Sequence, residues 1–502
     1  MITRLVRAEW TKFRTVRGWV LGMALATLVT VALGLLSASG SHASCGMDEV
    51  ETVCPATPVG PGGEAVNDDF FFLHRSLTGD GSITARLTSM TGRIRLPDTR
   101  PGVRRVAEGL VPWAKAGLMV KDGVRQGSSY AAVMLTGDHG TRMQYDFTHD
   151  IPGKPGTSPR WLRLTRAGDT LTGHESADGV TWSRIGEVRL PALPETVEAG
   201  LFAASPGDLT VTRADFGGAI VADRFSETTG AFDQVSLEGG VRGEWRPDDI
   251  GVELEPGGQP HHPGRSSRSG GTFSVTGVGD VGPTGEGTRI EAPLTGVPAG
   301  LIALITVAVL FITAEYRRRL IRTSLIASPR RGRVLAAKAL VAGAVAFAAG
   351  LAAAGVVVPL GVRILRANGN SVLPVSTFTE LRVVAGMAAL CAAVAVLALA
   401  LGALLRGSTA AVSAALALVV LPHLLATASV LPVGVSQWLL RLTPAAGFAV
   451  QQSIPEYAHV LGYHSPQGGY YPLPPWAGLT VTCAYAALAL ALAIVRLNRS
   501  DA

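Results

Sequence analysis

Six stretches of the sequence are too long and too apolar to fold in water, and they place the chain in a membrane-spanning class. They lie at residues 18–36, 297–314, 336–360, 383–405, 410–431 and 476–495. A helix needs about 20 apolar residues to cross about 30 Å of hydrocarbon, and each stretch is close to that length. None carries a charged residue at its centre, where a charge is costly. The sequence therefore predicts six transmembrane helices, with a large segment between the first two.

Basic residues predict how these helices are oriented. Arg and Lys are concentrated in segment 1–17 and in link 315–335, and the tail 497–502 adds Arg499. Short basic segments stay on the cytosolic side, whereas a large domain is translocated whatever its charge. We therefore expect a multi-pass protein of the cell membrane with both termini cytosolic and residues 37–296 extracellular. The net charge of +6 indicates topology and contact with membrane lipid rather than binding of nucleic acid.

A cleaved signal peptide is an alternative reading of the first stretch. A basic start, an apolar run and the small residues around Ser41 and Ala43 imitate a cleavage site. Cleavage would leave five spans and an extracellular N-terminus. The apolar run is longer than a usual signal core, which favours a retained span at 18–36.

Two cysteines in the predicted extracellular neck, residues 37–64, are candidates for a disulfide. Cys45 and Cys54 lie on the side that we expect to be oxidising, and they are close enough in sequence to close a small loop. Two free thiols are the alternative. Cys391 and Cys483 lie inside predicted spans and are typical of small apolar packing residues. We expect no metal site at the neck, since no further Cys or His completes a ligand set.

The extracellular segment reads as all-β. Apolar and polar residues alternate in short runs at 83–87, 116–120, 143–147, 162–164, 199–203 and 209–211. Turn-forming residues separate the runs, for example at 79–81 and 206–208. Residues 65–216 are long enough for one sandwich core. Residues 217–296 are richer in Gly, Pro and Ser, so we expect a looser β-rich segment there, with one strand at 272–276.

A resemblance adds to this interpretation. The stretches 161–173 (WLRLTRAGDTLTG) and 176–182 (SADGVTW) resemble the central hairpins of a concanavalin A-like (lectin/glucanase-type) sandwich family. The resemblance implies a jelly-roll sandwich and a glycan as ligand. Three tryptophans are candidates for stacking on sugar rings, although a core position is the commoner role: Trp113, Trp161 and Trp182. Four carboxylates are available for glycoside hydrolysis, although surface turns also supply such residues: Asp138, Asp146, Glu175 and Asp178.

The N-terminal segment has the pattern of a helix lying in the membrane surface. Its apolar residues recur at helical spacing, and its basic residues lie mostly on the other face. Trp10 belongs to the apolar stripe and is expected at the depth of the lipid headgroups. A basic leader that only sets topology is the plainer alternative.

The helical part carries a second resemblance. The stretch 314–339 (AEYRRRLIRTSLIASPRRGRVLAAKA) resembles the first cytosolic loop of type-2 ABC exporter permeases, and 7–17 (RAEWTKFRTVR) resembles the start of the same family in actinobacteria. The resemblance implies a permease subunit that forms half of a translocation path. It also implies two kinds of partner, namely a separate ATP-binding cassette ATPase and a second permease copy or sister permease. The large insert after the first span departs from the simplest members of that family.

Within this cytosolic link, an apolar edge with charged ends is suited to dock in a groove of the ATPase. Pro329 disfavours continuation of a helix beyond it. A basic loop bound to anionic lipid is the alternative. The residues that we expect to couple the permease to the ATPase are Glu315, Arg317, Arg322, Leu325, Ile326, Pro329, Arg330 and Arg331.

The motifs that are missing from the sequence limit the function. No Gly-x-x-x-x-Gly-Lys-Ser/Thr loop is present, so we expect no ATP hydrolysis by this chain alone. We also expect no catalytic residues, no cofactor and no metal. The fold class predicted is an α-helical membrane protein with six transmembrane helices and an extracellular jelly-roll sandwich inserted between helices 1 and 2. A membrane-anchored glycan-binding or sensory protein without transport activity is the alternative function, and a membrane-bound hydrolase is the least favoured.

Overall fold

The computed structural model describes residues 2–44, 56–97, 105–213, 219–251, 253–254, 260–261, 263–317, 331–428 and 430–499. Within this part of the chain, six helices are long and apolar enough to cross a membrane, which confirms the number of apolar spans. They are α2 (Arg17–Gly40), α3 (Val297–Arg317), α4 (Arg331–Ala367), α5 (Thr377–Leu405), α6 (Ser408–Thr427) and α8 (Pro475–Arg499). Two shorter helices are α1 (Ile2–Thr15) and α7 (Val433–Leu442), and two 3₁₀ helices span Ala292–Gly296 and Pro444–Gln451.

Helix α5 lies at the centre of the helical bundle and packs against α3, α4, α6 and α8. Its buried positions are mostly Ala, Val, Leu and Gly, which let neighbouring helices approach closely. Helix α2 lies at the periphery, and its leucines point away from the bundle; Leu21 and Leu36 are 66% and 68% exposed. A row of exposed leucines is costly in water and favourable in lipid.

Nineteen strands are described between α2 and α3. They are β1 (Val66–Asp68), β2 (Phe70–Leu96), β3 (Arg105–Glu108), β4 (Lys115–Lys121), β5 (Tyr130–Thr136), β6 (Thr141–Tyr145), β7 (His149–Pro152), β8 (Arg160–Ala167), β9 (Thr170–Ser176), β10 (Ser183–Arg189), β11 (Thr196–Ala204), β12 (Asp208–Arg213), β13 (Ala219–Arg224), β14 (Ser226–Ile250), β15 (Glu253–Leu254), β16 (Pro260–His261), β17 (Arg265–Ser269), β18 (Thr272–Gly277) and β19 (Val281–Pro283). The runs of alternating residues found in the sequence fall on strands of this set, except that the run 143–147 extends two residues beyond the end of β6.

Thirteen of the described strands form one antiparallel sheet. Its main path runs β10-β9-β8-β2-β11-β4-β5-β6-β7, while β14, β18, β17 and β3 extend it from β2. Strand β5 contacts β8 and β9, which are not its neighbours along the path, so the sheet folds over on itself. Side chains from β2, β4, β8 and β11 therefore meet in one buried cluster that includes Leu77, Leu118, Leu164 and Leu201.

A long bent strand replaces one of the predicted turns. The sequence predicts a turn at 79–81, but β2 continues through these residues and changes partner there from β11 to β8. Strand β14 follows β2 along the bend. Gly239 has a φ of 107°, and a Cβ on it would lie 2.3 Å from the carbonyl oxygen of Asp80. Glycine allows a bend within a continuing strand as well as a tight turn between two strands. The glycines at 79–81 therefore indicate where the backbone bends, but not whether the strand ends there.

The segment 217–296, expected to be looser, contributes strands to the same sheet. β14 pairs with β2 from Ile250 opposite Phe70 to Ser226 opposite Ile94. β18 covers the strand predicted at 272–276 and pairs with both β14 and β17. Only some of the alternating residues of β14 are buried. The other positions are exposed, so polar residues and glycines are tolerated there.

Hydrogen bonds join the β-sheet part to the end of the helical bundle near it. His459 Nε2 lies 2.8 Å from the carbonyl oxygen of Phe147. The amide of Ser453 donates to Glu291 Oε1 at 3.0 Å, and Thr57 Oγ1 lies 2.6 Å from Ser371 Oγ. Cys45 and Cys54, the predicted disulfide partners, lie outside the described residues.

Candidate functional site

The predicted coupling residues lie at and between the facing ends of α3 and α4. Glu315 lies in the last turn of α3. Arg317 ends α3 and Arg331 begins α4, and their side chains are outside the described part. The other five lie outside the described residues, namely Arg322, Leu325, Ile326, Pro329 and Arg330. The structure therefore places one predicted side chain, Glu315, and fixes the two helix ends from which the segment 318–330 leaves.

Glu315 belongs to a buried ion network that joins three helices. Lys338 Nζ on α4 lies 2.5 Å from Glu9 Oε2 on α1 and 3.0 Å from Glu315 Oε1 on α3. Lys12 Nζ on α1 lies 2.8 Å from Glu9 Oε1 and 3.1 Å from Glu315 Oε1. The Lys338 side chain is 1% exposed, while that of Lys12 is 40% exposed. Two carboxylates are thus held together by one buried and one partly exposed ammonium group.

An aromatic layer packs beside this network and fixes α1 in place. Phe13 of α1 meets Phe311 of α3 edge-on, with ring centroids 5.5 Å apart, and Trp19 of α2 lies 5.0 Å from the same ring. The Lys338 ammonium sits over the Phe311 ring at 4.1 Å. A cation placed over a ring face is attracted by the ring quadrupole, and more strongly when it is desolvated. The network and the aromatic layer therefore share Lys338 and Phe311.

Helix α1 buries a face that differs partly from the predicted apolar stripe. Phe13 is buried as expected, but Glu9 is buried too, at 3% exposure, while Trp10 is 46% exposed and turns away from the bundle. Glu9 and Phe13 are four residues apart, so they lie on one face of the helix. A stripe drawn from apolar residues alone omits Glu9, because a carboxylate is assigned to the wet face by default.

The electrostatics of the network explain how its charges are tolerated. Burial lowers the pKa of the Lys12 ammonium, but hydrogen bonds and the charges of Glu9 and Glu315 outweigh this and raise the pKa above its usual value. Lys12 therefore stays charged beside the two acids. Each carboxylate receives at least two charged hydrogen bonds, which is the condition under which buried charges are stable.

The tryptophans weighed as glycan stackers are packed against neighbouring groups. Trp113 is 5% exposed, and its ring lies 4.0 Å from that of His139. The guanidinium of Arg163 lies 4.0 Å from the Trp182 ring, whose Nε1 donates to the carbonyl of Gly179 at 3.2 Å. Trp161 is half-buried, with the Arg86 guanidinium 5.8 Å away. These contacts are typical of residues that hold a sandwich together.

Three of the four carboxylates considered for hydrolysis have structural partners. Glu175 is buried and accepts a hydrogen bond from the Lys154 amide at 2.7 Å. Asp146 accepts from Ser129 Oγ at 2.5 Å. Asp178 caps a turn, because its carboxyl accepts hydrogen bonds from the backbone amides of Thr181 and Val180. These bonds hold the pKa of the carboxyl well below its usual range. Asp138 is exposed on the loop between β5 and β6.

Comparisons with known proteins give little further constraint. No protein-family model matches the chain, and no curated protein matches it. A functionally unknown protein from Saccharomyces cerevisiae has 15% identity and a TM-score of 0.19, with 34% of this chain and 74% of that chain covered. The structure of SCP-B, a member of the eqolisin family of peptidases in complex with the tripeptide Ala-Ile-His, has 10% identity and a TM-score of 0.23, with 42% and 98% covered.

A third solved structure is that of a mutant of the GH43 protein BlXynB from Bacillus licheniformis. It has 12% identity and a TM-score of 0.17, with 29% of this chain and 26% of that chain covered. TM-scores this low carry no argument about fold or activity.

Proposed function

We propose that this chain is the transmembrane subunit of an ATP-binding cassette exporter, forming half of the translocation path and working with a separate ATPase subunit. One observation carries the proposal, namely the buried network of Glu9, Lys12, Glu315 and Lys338. It ties the N-terminal helix to both helices that flank the segment 318–330. That segment resembles the coupling loop of type-2 exporter permeases.

The network gives the coupling a mechanical basis. Separating a buried carboxylate from its ammonium partner is strongly unfavourable, so α1, α3 and α4 are expected to move as one body near this end of the bundle. A partner that displaces 318–330 therefore displaces α1 and two of the apolar helices together. A loop that only binds lipid and sets the topology does not require an ion network that makes three helices move together.

Several features support a membrane location with this end in the cytosol. The six long helices carry exposed leucines, and the basic residues concentrate near the ends that bear the network. On this proposal α1 lies in the inner membrane surface with Trp10 facing the headgroups. The β-sheet part forms an extracellular jelly-roll sandwich inserted between the first and second spans.

The partners follow from what the chain contains. Its sequence has no phosphate-binding loop, so hydrolysis of ATP requires another subunit. One face of α4 exposes small and apolar residues, including Ala344, Ala348 and Ala352. Such a face suits close packing against another helix in lipid. A second copy of the chain or a sister permease would supply that helix and complete the path.

The test is co-purification of an ATP-binding cassette ATPase with the full-length chain from native membranes. The double substitution Leu325→Asp and Ile326→Asp should abolish co-purification, because it removes two apolar side chains worth about 1.5–3 kcal/mol each when buried and adds two charges. The control is Asn498→Asp with Ser500→Asp, which adds the same charge at the C-terminal tail. ATPase activity is measured at matched membrane levels.

Each outcome has a clear meaning. Loss of the ATPase in the double variant and its retention in the control support the proposal. Unchanged co-purification and activity in the double variant would show that the segment does not dock the ATPase. If no ATPase accompanies the unsubstituted chain, the alternative of a membrane-anchored glycan-binding or sensory protein takes its place.

A further inference from the structure

A large cavity lies where the β-sheet part meets the helical bundle, at the opposite end from the ion network. Its volume is about 910 Å³. Its floor is formed by the end of α6 and the 3₁₀ helix Pro444–Gln451, its walls by segment 457–471, and its roof by segment 280–291. Three parts of the chain that are distant in sequence therefore line one partly open space.

The floor of the cavity combines the apolar side chains of Leu424 and Phe448 with polar groups of His423, Thr427 and Gln451. His423 of α6 stacks on Phe448 with ring centroids 3.7 Å apart. It is 8% exposed, and among the described residues its Nδ1 has no hydrogen-bond partner. Leu424 also lines the cavity and is 45% exposed on the outside of the bundle. The apolar part of the floor is thus continuous with a surface that lipid would cover.

The walls are aromatic. Tyr471 is held by its hydroxyl, which accepts a hydrogen bond from Gln451 Nε2 at 2.5 Å. Tyr457 and Tyr470 line the same space. Burial raises the pKa of Tyr457 to about 12, so its ring stays neutral over the physiological range. Neutral aromatic faces attract cations and apolar groups.

The roof contributes two carboxylates, those of Glu286 and Glu291. Glu291 accepts one hydrogen bond from the Ser453 amide, while its Oε2 is buried without a partner among the described residues. Burial raises the pKa of Glu291, and the nearby charge of Arg289 opposes this only in part. Burial together with the charge of Asp223 raises the pKa of Glu286. Both carboxylates would be stabilised by a cation that enters the cavity.

The basic groups near the roof already have other partners. The Arg289 guanidinium donates to the carbonyl of Gly468 and lies 4.1 Å from the Tyr470 ring. The Arg382 guanidinium donates to the carbonyls of Val450 and Gln452, at 3.1 and 2.8 Å. Asp280, the third acid at the roof, is paired with Lys115 at 2.6 Å. The carbonyl partners leave the charges of Arg289 and Arg382 in place near Glu291, so Glu286 is the roof acid that a ligand cation can neutralise most directly.

We propose that this cavity binds an amphiphilic organic cation, with its charged group beside Glu286 and Glu291 and its apolar body against the tyrosines and the His423–Phe448 floor. An anion would meet two acids, and a small inorganic cation would leave the apolar part of the floor empty. The proposal goes beyond the exporter function and rests on it only for the placement of α6 in a membrane, from which an amphiphile would enter beside Leu424.

A pair of probes with the same shape and opposite charge tests this directly. Tetraphenylphosphonium and tetraphenylborate are similar in size and apolarity, and only the first is a cation. We expect the full-length chain in lipid nanodiscs to bind tetraphenylphosphonium saturably and, in a separate experiment, to show no saturable binding of tetraphenylborate. Binding is measured by equilibrium dialysis against empty nanodiscs of the same lipid, which subtracts partition into the bilayer.

Substitutions locate the site. Glu286→Gln and Glu291→Gln should each weaken tetraphenylphosphonium binding at least tenfold, because each removes a charge and preserves shape. Gln at position 291 keeps an oxygen for the Ser453 amide. Glu286 is exposed towards the cavity, so its variant stays informative if the Glu291 variant does not fold. The control is Glu187→Gln, on the exposed strand β10, which should leave affinity unchanged.

Three results would overturn the proposal: no saturable binding of the cation, equal saturable binding of tetraphenylborate measured separately, or full affinity in a folded Glu286→Gln variant. None of these measurements involves an ATPase or transport. A negative binding result therefore does not contradict the exporter proposal, and the absence of an ATPase partner does not contradict the proposed cation-binding site.

Discussion

Replacing Lys338 with Met should release helix α1 from the bundle. Met has a similar length and keeps the contact with Phe311, but it leaves Glu9 and Glu315 close together with only the partly exposed Lys12 between them. Removing one partner from a buried ion pair costs about 3–5 kcal/mol, because the remaining charge is left uncompensated. Both acids are less than 10% exposed and would then share one ammonium group, that of Lys12, so one buried negative charge is left uncompensated and we expect a cost in that range.

The assay is hydrogen exchange of the peptide that covers α1, followed by mass spectrometry on the full-length chain in nanodiscs. Local opening and exchange report the free energy that holds a segment in place. A loss of 3–5 kcal/mol raises the opening constant by roughly 10²- to 10³-fold or more, at about 1.4 kcal/mol for each factor of ten. Protection of α1 should fall by that factor, whereas protection of α5 should stay unchanged.

Two further variants decide whether buried charge is the cause. Lys12→Met removes an ammonium that is 40% exposed, so it should lower protection by no more than about tenfold. Adding Glu9→Gln and Glu315→Gln to the Lys338→Met variant should restore most of the protection, because the one charge then left, on Lys12, is 40% exposed and stays solvated. Equal effects of Lys12→Met and Lys338→Met, or no recovery in the triple variant, would refute the reasoning.

Three other predictions concern the rest of the chain. A cysteine at Asp138 should react with a membrane-impermeant maleimide in intact cells and one at Ser328 should not; labelling at Ser328 would invert the proposed orientation. Mass spectrometry of unreduced, alkylated peptides should find Cys45 linked to Cys54, which the chain-entropy account values at about 2–3 kcal/mol, and thiol adducts on both would contradict it. Gly239→Ala should lower the thermal unfolding temperature more than Gly243→Ala, because an added Cβ meets the Asp80 carbonyl only at position 239; an equal shift would show that the close approach is unimportant.

The helices and most strands could be predicted because their signals are local. An apolar run of the right length reports a helix in lipid wherever it lies, and alternation reports a half-buried strand. The order of the strands in the sheet could not be predicted from the sequence. Pairing of β2 with β14 joins residues more than a hundred positions apart, and no local pattern in the glycine-rich β14 names its partner.

The ion network shows the same limit for the candidate site. Glu315 was singled out because it ends an apolar run, but Glu9 and Lys338 are separated by 329 positions and look like ordinary residues of a basic surface. Their burial arises only when three helices meet. One signal was available in the sequence: Glu9 is the single acid in a strongly basic segment, and an isolated opposite charge there needs a reason.

The pairing of β1 with β19 has a consequence for how such a chain can arise. Val66 lies opposite Pro283 in a separate two-stranded sheet, so the chain enters and leaves the β-sheet part at neighbouring strands. Adjacent strands are roughly 4.7–4.9 Å apart, a distance that a tight turn also bridges. Because its two ends are this close together, the insert connects the helices on either side as a short hairpin would. A gene could therefore acquire, discard or exchange this domain in one step while the helical bundle kept its shape, and descendants of one bundle could carry unrelated domains at this position.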